Sequence, residues 1–320
     1  MDGILVIDKP QGWTSHDVVA KVRRLTRIKR AGHTGTLDPM ATGVLVVCAG
    51  QATRVVEYLT GHDKRYRATL RLGVDTDTYD AEGKVTSQRP VEVSEAALRQ
   101  ALATFVGALE QVPPMYSALK RGGQKLVDLA RRGVEIERAP RRVTIHSLDL
   151  IAFHPPDAIV DAHCSAGTYV RSLAYDVGRQ LGCGAHLAAL KRTAAGAFSL
   201  DQAVTIERLE AAVVDGSWPA LLHPIDAALQ ALPSIRLGHD DALRARHGMP
   251  VSMPATQMPA FGDASYQDTH TLEARLVRVY DPAGELIALA RCHRAAKELR
   301  PEKVFSQPDK NGTRTNTGEN

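Results

Sequence analysis

The segment GHTGTLDPMATG, residues 32–43, runs directly into the apolar stretch VLVV and constrains the local fold more than any other part of the chain. Its glycines permit backbone conformations and close approaches that a β-carbon would forbid. Pro39 fixes its own φ and pushes Asp38 towards an extended conformation. We therefore expect a stiff loop that holds one acidic side chain at the entrance to a buried strand. Such an acid either forms a turn or acts as a catalyst.

Three interpretations of this loop follow from the residues alone. Asp and Gly are ordinary turn residues, and an Asp-Pro step begins many loops, so a purely structural role is the first. Catalysis by Asp38 is the second. A phosphate-binding loop is the third, because glycine-rich loops expose backbone N–H groups. This third interpretation is weak, since the segment has neither a Gly-Lys-Ser/Thr ending nor a G-x-G-x-x-G sequence at the start of a helix.

Hydrophobic patterning predicts a chain of alternating helices and strands. The 320 residues suffice for one large domain and one small one. Strands are predicted at residues 4–7, 66–72 and 159–164, and a β-hairpin at 273–280 and 285–292. Helices are predicted at residues 16–28 with Ser15 as the N-cap, after Ser94, at 125–132 with Gly133 as the stop, at 168–182, at 206–213, near 225–229 and at 240–247.

Positive charge is concentrated in two segments. The net charge is +4, yet residues 114–142 carry eight Lys/Arg against three Asp/Glu, and residues 16–30 carry six against one. Each segment has an excess of five, so the rest of the chain is net acidic. Such a concentration indicates a surface that binds a polyanion. A solvated helix face would show a similar composition, so the charge alone favours RNA binding only slightly.

Cysteine spacing and acidic spacing argue against metal sites. The four cysteines are scattered without a C-x-x-C pair, which disfavours a zinc site or a disulfide framework and favours a reducing compartment. An acidic run at residues 75–83 invites a calcium-loop interpretation, but Asp80 stands where an EF-hand loop needs glycine. The N-terminus has no signal-peptide pattern and no apolar stretch approaches membrane-spanning length, so we expect a cytoplasmic protein.

The glycine-rich segment, extended to GHTGTLDPMATGVLVV, closely resembles the central motif of the bacterial tRNA pseudouridine synthases of the TruB type, which act on uridine 55 of the T-arm. Four further blocks occur in the order of that family: GILVIDKPQGWTSHDVV, KRYRATLRLGVDTDTYDAEG, VPPMYSALK and CSAGTYVRSLAYDVGRQLGCGAH. The resemblance is strong to about residue 200 and weaker beyond. It implies an isomerase that converts a tRNA uridine to pseudouridine without cofactor, metal or obligatory protein partner, as a monomer.

The resemblance also implies three catalytic roles around the loop. Asp38 would be the nucleophile, Arg171 would pair with it, and Asp80 would orient the arginine. A neighbouring arginine typically lowers the pKa of an aspartate by about one to three units, so we expect Asp38 to be ionised. The residues independently indicate an anion beside Arg171, because a cation in the first turn of a helix is otherwise unfavourable. Whether Asp38 attacks the ribose or the base, or first removes a proton, stays open.

RNA-binding roles follow from the same resemblance. Tyr66, counted with the catalytic residues, would stack on the extruded base. Further RNA contacts are expected from His33, which would fill the vacated space, and from Lys9, Tyr169, Leu190 and Lys120. The alternative function is a non-catalytic protein that binds or folds tRNA and only captures a flipped base.

The implied fold is α+β, with a mixed-sheet pseudouridine synthase catalytic domain at residues 1–232 and a small β-barrel, PUA-like RNA-binding domain at 233–299. The basic segment 114–142 would be an inserted thumb that folds over the RNA. Residues 254–270 look like an irregular insertion, and 300–320 are expected to be a disordered tail.

Overall fold

A computed structural model gives the fold and describes residues 1–117, 119–134, 136–253, 274–293 and 295–305. The chain divides into two compact units, Met1–Ile225 and Asp226–Asn320. The domain boundary predicted between residues 232 and 233 therefore falls within the second unit. Both units combine helices with β-sheet, which confirms the predicted α+β class.

The first unit alternates strands and short helices along the sequence. Its helices are α1 (Ser15–Thr26), α2 (Val56–Thr60), α3 (Glu95–Ala103), α4 (Leu126–Arg131), α5 (Val170–Gln180) and α6 (Ile206–Val214). Its strands are β1 (Gly3–Lys9), β2 (Ala31–His33), β3 (Thr42–Ala49), β4 (Lys64–Leu72), β5 (Val74–Thr76), β6 (Val85–Gln88), β7 (Gly107–Gln111), β8 (Lys120–Arg121), β9 (Gln124–Lys125), β10 (Arg141–His154), β11 (Asp157–Cys164), β12 (Ala185–Ala195) and β13 (Phe198–Ser199). Short 3-10 helices occupy Gly50–Val55, Leu200–Gln202 and Trp218–Leu221, and a further one, Ile225–Leu229, begins at the last residue of this unit.

A mixed sheet forms the framework of the first unit, in the order β1-β3-β12-β4-β11-β10-β7. Strand β12 runs parallel to β3 and antiparallel to β4, and the other pairs in this order are antiparallel. Tyr66 of β4 lies between Ala162 of β11 and Arg192 of β12. The centre of the sheet therefore brings together chain segments that are far apart in sequence.

The burial pattern of the strands follows their sequences. Residues 4–7 of β1 are buried without alternation, as expected for a strand covered on both faces. Strand β4 alternates, with Tyr66, Ala68, Leu70 and Leu72 buried. Tyr66, Ala68 and Leu70 belong to a core shared with α3, α5 and β12, and Leu72 belongs to a smaller cluster with Cys183 and Ala185. Burial of each large aliphatic side chain in such a core contributes about 1.5–3 kcal/mol.

Helix α1 begins one residue earlier than predicted. Its N-cap is Thr14, which forms a capping box with Asp17, so the prediction of Ser15 as the cap is wrong. Ser15 is instead buried, and its Oγ accepts a hydrogen bond from the Leu37 N–H at 2.8 Å and donates one to the Leu37 carbonyl at 3.2 Å. The start of α1 is therefore fastened to the glycine-rich loop. The Ser94 cap of α3 is confirmed.

The basic insertion folds into a short hairpin and a helix. Strands β8 and β9 pair antiparallel and lead into α4. Gly133 has a φ of +72° and its N–H donates to the carbonyl of Ala130, so the predicted helix stop is confirmed.

The described part of the second unit contains a five-stranded sheet and the α-helix α7. Its elements are β14 (Ser234–Arg236), α7 (His239–Arg246), β15 (Val251–Ser252), β16 (Ala274–Tyr280), β17 (Leu286–His293) and β18 (Glu298–Val304). The sheet order is β14-β16-β17-β18-β15, and the predicted hairpin corresponds to β16 and β17. In the described part of this unit the two edge strands do not pair with each other, so the sheet is a half-barrel rather than a closed barrel.

The predicted disordered tail begins too early. Residues 300–304 belong to β18, because they continue its pairing with β17. Residues 306–320 and the predicted insertion at 254–270 lie outside the described residues. Among the helices of the described ranges, none combines the length and the hydrophobicity needed to cross a membrane.

Candidate active site

The glycine-rich loop carries Asp38 on a tight, multiply anchored turn. The Ala41 N–H donates to the Asp38 carbonyl at 3.0 Å, and the Gly12 N–H donates to the Pro39 carbonyl at 2.8 Å. Together with the Ser15–Leu37 pair, these bonds fix the backbone on both sides of Asp38. The Asp38 side chain retains 37% of its surface exposed, so a substrate can reach it.

Arg171 lies at the centre of an alternating charge network. Its Nε lies 2.9 Å from Oδ2 of Asp38, but the N–H does not point along that line, so the contact is an ion pair rather than a linear hydrogen bond. Its Nη1 lies 3.3 Å from Oδ2 of Asp80. The Arg171 side chain is 5% exposed and stands in the first turn of α5. The prediction that Arg171 has an anionic partner is therefore confirmed.

Asp80 is held rigidly behind the arginine. Its Oδ1 accepts from the Thr78 hydroxyl at 2.6 Å and from the Glu82 N–H at 3.1 Å, while Oδ2 faces Arg171. Arg171 also donates to the Tyr116 carbonyl at 2.9 Å. Each carboxylate oxygen of Asp80 has a different partner, and the acid contacts one nitrogen of the guanidinium whose Nε faces Asp38.

The net shift of the Asp38 pKa is upward, which corrects the expectation of a lowered value. Desolvation by the surrounding protein raises the pKa most, and the Asp80 carboxylate adds to the increase. The charges of Arg171 and Lys9 oppose these effects and lower the pKa. The arginine therefore counteracts a large desolvation cost instead of depressing the pKa below its ordinary range.

Arg192 is a buried cation that the sequence did not reveal as part of the site. Its side chain lies among the most completely buried in the described residues, with 2% exposure. Its Nε donates to the Val44 carbonyl at 2.7 Å and its Nη2 to the Gly35 carbonyl at 3.0 Å. It also lies within hydrogen-bonding reach of the Tyr66 side chain. One guanidinium thus joins the Asp38 loop to the tyrosine predicted to meet the base.

Lys9 does not line the pocket, contrary to its predicted role in RNA binding. Its side chain is completely buried, and its Nζ donates to three carbonyls: Trp13 at 2.6 Å, Pro10 at 3.0 Å and Pro39 at 3.2 Å. An ammonium with three backbone acceptors has no donor left for a ligand. Burial lowers the pKa of Lys9 to about 8. Lys9 therefore stabilises the Asp38 loop through its hydrogen bond to the Pro39 carbonyl.

Three further residues predicted to contact RNA are Tyr66, Leu190 and Tyr169. Tyr66 and Leu190 are buried in the same core cluster as Leu37, and burial raises the pKa of Tyr66. Tyr169 is the N-cap residue of α5, where both its N–H and its carbonyl bond to the Gln111 side chain. The charge of Asp38 acts on both tyrosines, whereas Leu190 only shares the core cluster of Tyr66 and Leu37, so the RNA contacts of these three residues stay predictions.

The structure describes the side chain of His33 but not that of Lys120. His33, at the end of β2, packs edge-on against His16 with ring centroids 5.5 Å apart. Its Nδ1 is buried and has no hydrogen-bond partner within the described residues. Lys120 lies in β8, but its side chain falls outside the described part of the chain, so its predicted RNA contact stays a prediction.

An accessible carboxylate beside a buried arginine can serve as a nucleophile or a base. Tyr66 on β4 and Leu190 on β12 are buried on neighbouring strands at the centre of the mixed sheet. Fold and site together define a pseudouridine synthase.

Comparison with known proteins agrees. The family model described as the TruB family pseudouridylate synthase N-terminal domain matches residues 23–170, and that of the tRNA pseudouridylate synthase B C-terminal domain matches residues 171–230. The chain belongs to the TruB family. It is similar to proteins named tRNA pseudouridine synthase B from Thiobacillus denitrificans (48% identity over 96% of each chain) and from Ralstonia nicotianae (46% identity over 94% of this chain and 93% of the relative).

Two solved structures are also similar to this chain. The chain is similar to one described as a Cbf5-Nop10-Gar1 complex, with a TM-score of 0.71 and 27% identity over 95% of this chain and 85% of the other. A second, described as an H/ACA RNP bound to a substrate RNA containing 2′-deoxyuridine, has a TM-score of 0.71 and 26% identity over 96% and 86%.

Proposed function

We propose that the protein converts uridine 55 in the T-arm of tRNA to pseudouridine, as a monomer in the cytoplasm. The observation that carries this proposal is the accessible Asp38 carboxylate, paired at 2.9 Å with a nearly buried Arg171. The names of the curated relatives support tRNA as the substrate. The T-arm is inferred from the motifs around Asp38, and a monomer from the location of all the proposed catalytic groups in a single unit.

The reaction breaks the bond between N1 of uracil and C1′ of the ribose and forms a bond between C5 and C1′. The proton on C5 is lost and N1 gains one, so atoms balance without an oxidant or a reductant. Asp38 assists by attacking the ribose or the base, or by first removing a ribose proton. In each case the carboxylate must be ionised, and Arg171 favours that form.

The target base must leave the folded RNA before Asp38 can reach it. Extrusion costs a few kcal/mol. Stacking one base on an aromatic ring contributes about 1–3 kcal/mol, which offsets much of that cost. Tyr66 is the proposed stacking partner, and Leu190 and Tyr169 would line the rest of the pocket. His33, with an Nδ1 that lacks a protein partner within the described residues, would occupy the space that the base leaves.

Two further regions are proposed to hold the RNA. The insertion at residues 114–142, with its excess of five positive charges, would contact phosphates, which adds affinity without sequence preference. The half-barrel of the second unit is proposed to be a PUA-like RNA-binding domain. We further propose that no partner protein is needed, although similar solved chains occur in the complexes named above.

Tritium release tests the proposed reaction. A T-arm stem-loop labelled at uracil C5 should lose its label when incubated with purified protein alone. Asp38→Asn should abolish release, because an amide cannot replace the carboxylate, while the dissociation constant for RNA stays within about threefold. Asp149→Asn, an exposed acid on β10, is the matched control and should retain activity.

Two outcomes would contradict the proposal. Equal release by the Asp38→Asn variant would remove Asp38 from the chemistry. RNA binding by the unmodified protein without any tritium release would favour the alternative, a tRNA-binding protein that captures a flipped base.

A further inference from the structure

A cluster of two histidines and one aspartate lies on the first unit and shares no residue with the active site. Asp63 immediately precedes β4, His146 lies on β10 and His163 on β11. One donor atom from each side chain lies within 4.8 Å of the other two. Both imidazole Nε2 atoms approach the same carboxylate oxygen of Asp63, at 3.1 Å for His146 and 3.7 Å for His163.

The backbone of β10 explains why the two rings meet. The pairing of β10 with β11 shifts between Ile145 and Ser147, so His146 is the extra residue of a β-bulge. A bulge changes the direction of a side chain relative to a regular ladder. The His146 and His163 rings consequently lie on the same side, with centroids 4.6 Å apart.

The donor set and its spacing match the requirements of a zinc-type ion. Two imidazoles and one carboxylate are ligands that zinc commonly takes, with a fourth position for water. A tetrahedral ion with bonds of about 2.0–2.2 Å keeps its ligand atoms about 3.3–3.6 Å apart. The two measured separations, 3.1 and 3.7 Å, bracket that spacing closely. The third separation, between the donor nitrogens of the two imidazoles, is at most 4.8 Å. To reach the tetrahedral spacing it needs an imidazole movement of at most about 1.5 Å.

The surroundings allow a cation to enter. The side chains of Asp63, His146 and His163 are 47%, 38% and 27% exposed, which leaves room for water as a further ligand. Arg65 pairs with His163 in the ladder and opposes a cation, but it is exposed and can turn into solvent. The Asp63 carboxylate supplies the compensating negative charge.

We propose that Asp63, His146 and His163 bind one zinc-type divalent ion that links the start of β4 to β10 and β11. Such a link would fasten the start of the strand that carries Tyr66. The site is a structural addition to the first unit, and it does not depend on the proposed reaction.

Cobalt titration of the full-length protein without an affinity tag tests the site. Co²⁺ reports its ligands through visible absorption, and Zn²⁺ should displace it. We expect one Co²⁺ per chain at a site that disappears in the His146→Ala/His163→Ala double variant. Asp63→Asn should weaken Co²⁺ binding at least about tenfold, because the carboxylate ligand is lost. His154→Ala, an exposed histidine at the end of β10, should bind as the unmodified protein does.

A second readout separates binding at this site from adventitious binding elsewhere. Zn²⁺ should raise the melting temperature of the unmodified protein and of His154→Ala, but not that of the double variant, because only binding to the folded state stabilises it. All three replaced side chains are partly exposed, and circular dichroism without metal checks that each variant is folded. Retention of the cobalt band by the folded double variant, or the absence of a band in the unmodified protein, would overturn the proposal.

Discussion

Arg192 offers the most informative perturbation of the site, because one side chain supports both the Asp38 loop and Tyr66. Its guanidinium donates to the carbonyls of Val44 and Gly35, with a longer contact to Thr36 at 3.4 Å. Arg192→Lys keeps the charge but replaces a planar fork by a single ammonium, which cannot reach carbonyls on both sides of the loop. The loop that carries Asp38 is therefore expected to shift.

The magnitude of the effect follows from these contacts. Each charge-assisted hydrogen bond contributes about 1.5–3 kcal/mol to the free energy of unfolding. Removal of the buried charge also removes its desolvation penalty, which offsets part of the loss. We expect Arg192→Met to lower the free energy of unfolding by about 2–4 kcal/mol. For Arg192→Lys we expect a smaller loss of stability, together with a catalytic rate constant lowered about 100-fold, since a displacement of about 1 Å at a reacting group has an effect of that size.

Single-turnover tritium release at saturating enzyme measures the rate constant, and filter binding measures RNA affinity. We expect the Arg192→Lys rate to fall while the dissociation constant for RNA stays within about twofold, because the buried side chain does not contact RNA. Lys191→Met, on the adjacent and more exposed position of β12, is the matched control and should change the rate constant by less than about twofold. A folded Arg192→Lys protein with an unchanged rate would refute the positioning argument.

Two further predictions concern charge and backbone at the same site. The pKa of Asp38 is raised by desolvation and by Asp80 and lowered by Arg171, so the acid limb of the pH–rate profile should lie above the ordinary aspartate value of 3.8. This limb should move to higher pH in Arg171→Met and to lower pH in Asp80→Asn. Single-turnover rates across the pH range check these shifts, and limbs that moved in the same direction would contradict them. Gly43→Ala should lower the free energy of unfolding by about 2–4 kcal/mol, because φ is +96° and a β-carbon would lie 2.2 Å from the Arg192 carbonyl oxygen. Urea unfolding of Gly32→Ala, where nothing lies within 4 Å, is the control, and an equal loss in both variants would show that the close contact is unimportant.

The features predicted correctly are those with a local cause. The alternation in β4, the Ser94 cap and the Gly133 stop each depend on neighbouring residues, so a short stretch of sequence contains the information. The anionic partner of Arg171 could be predicted for a similar reason, because a cation at a helix start is unfavourable by itself. Identification of the partner as Asp38 depended on the family resemblance.

The features that were missed or wrong depend on contacts between distant segments. Arg192 bonds to Val44 across 148 positions, and its partners are backbone carbonyls, which leave no pattern in the sequence. The prediction that Lys9 contacts RNA comes from the family resemblance, and its actual acceptors are carbonyls, including one 30 positions away, which leave no pattern in the sequence. Pairing with Arg171 alone predicts a lowered Asp38 pKa, whereas the desolvation that a packed site imposes raises it.

The balance of buried charges around the Asp38 loop affects both RNA binding and the protonation of Asp38. Arg171, Arg192 and Lys9 are cations buried around the loop, and Asp38 and Asp80 are the carboxylates of the network. Below pH 8 the lysine is largely protonated, since its pKa is about 8, and the three cations oppose the charges of Asp38, Asp80 and the neighbouring Glu82. Arg171 and Lys9 favour the ionised Asp38 that must meet the nucleoside. Neutralising Asp38 by protonation would increase the positive charge while removing the reactive group, which is why tight RNA binding and loss of turnover are expected together at acidic pH.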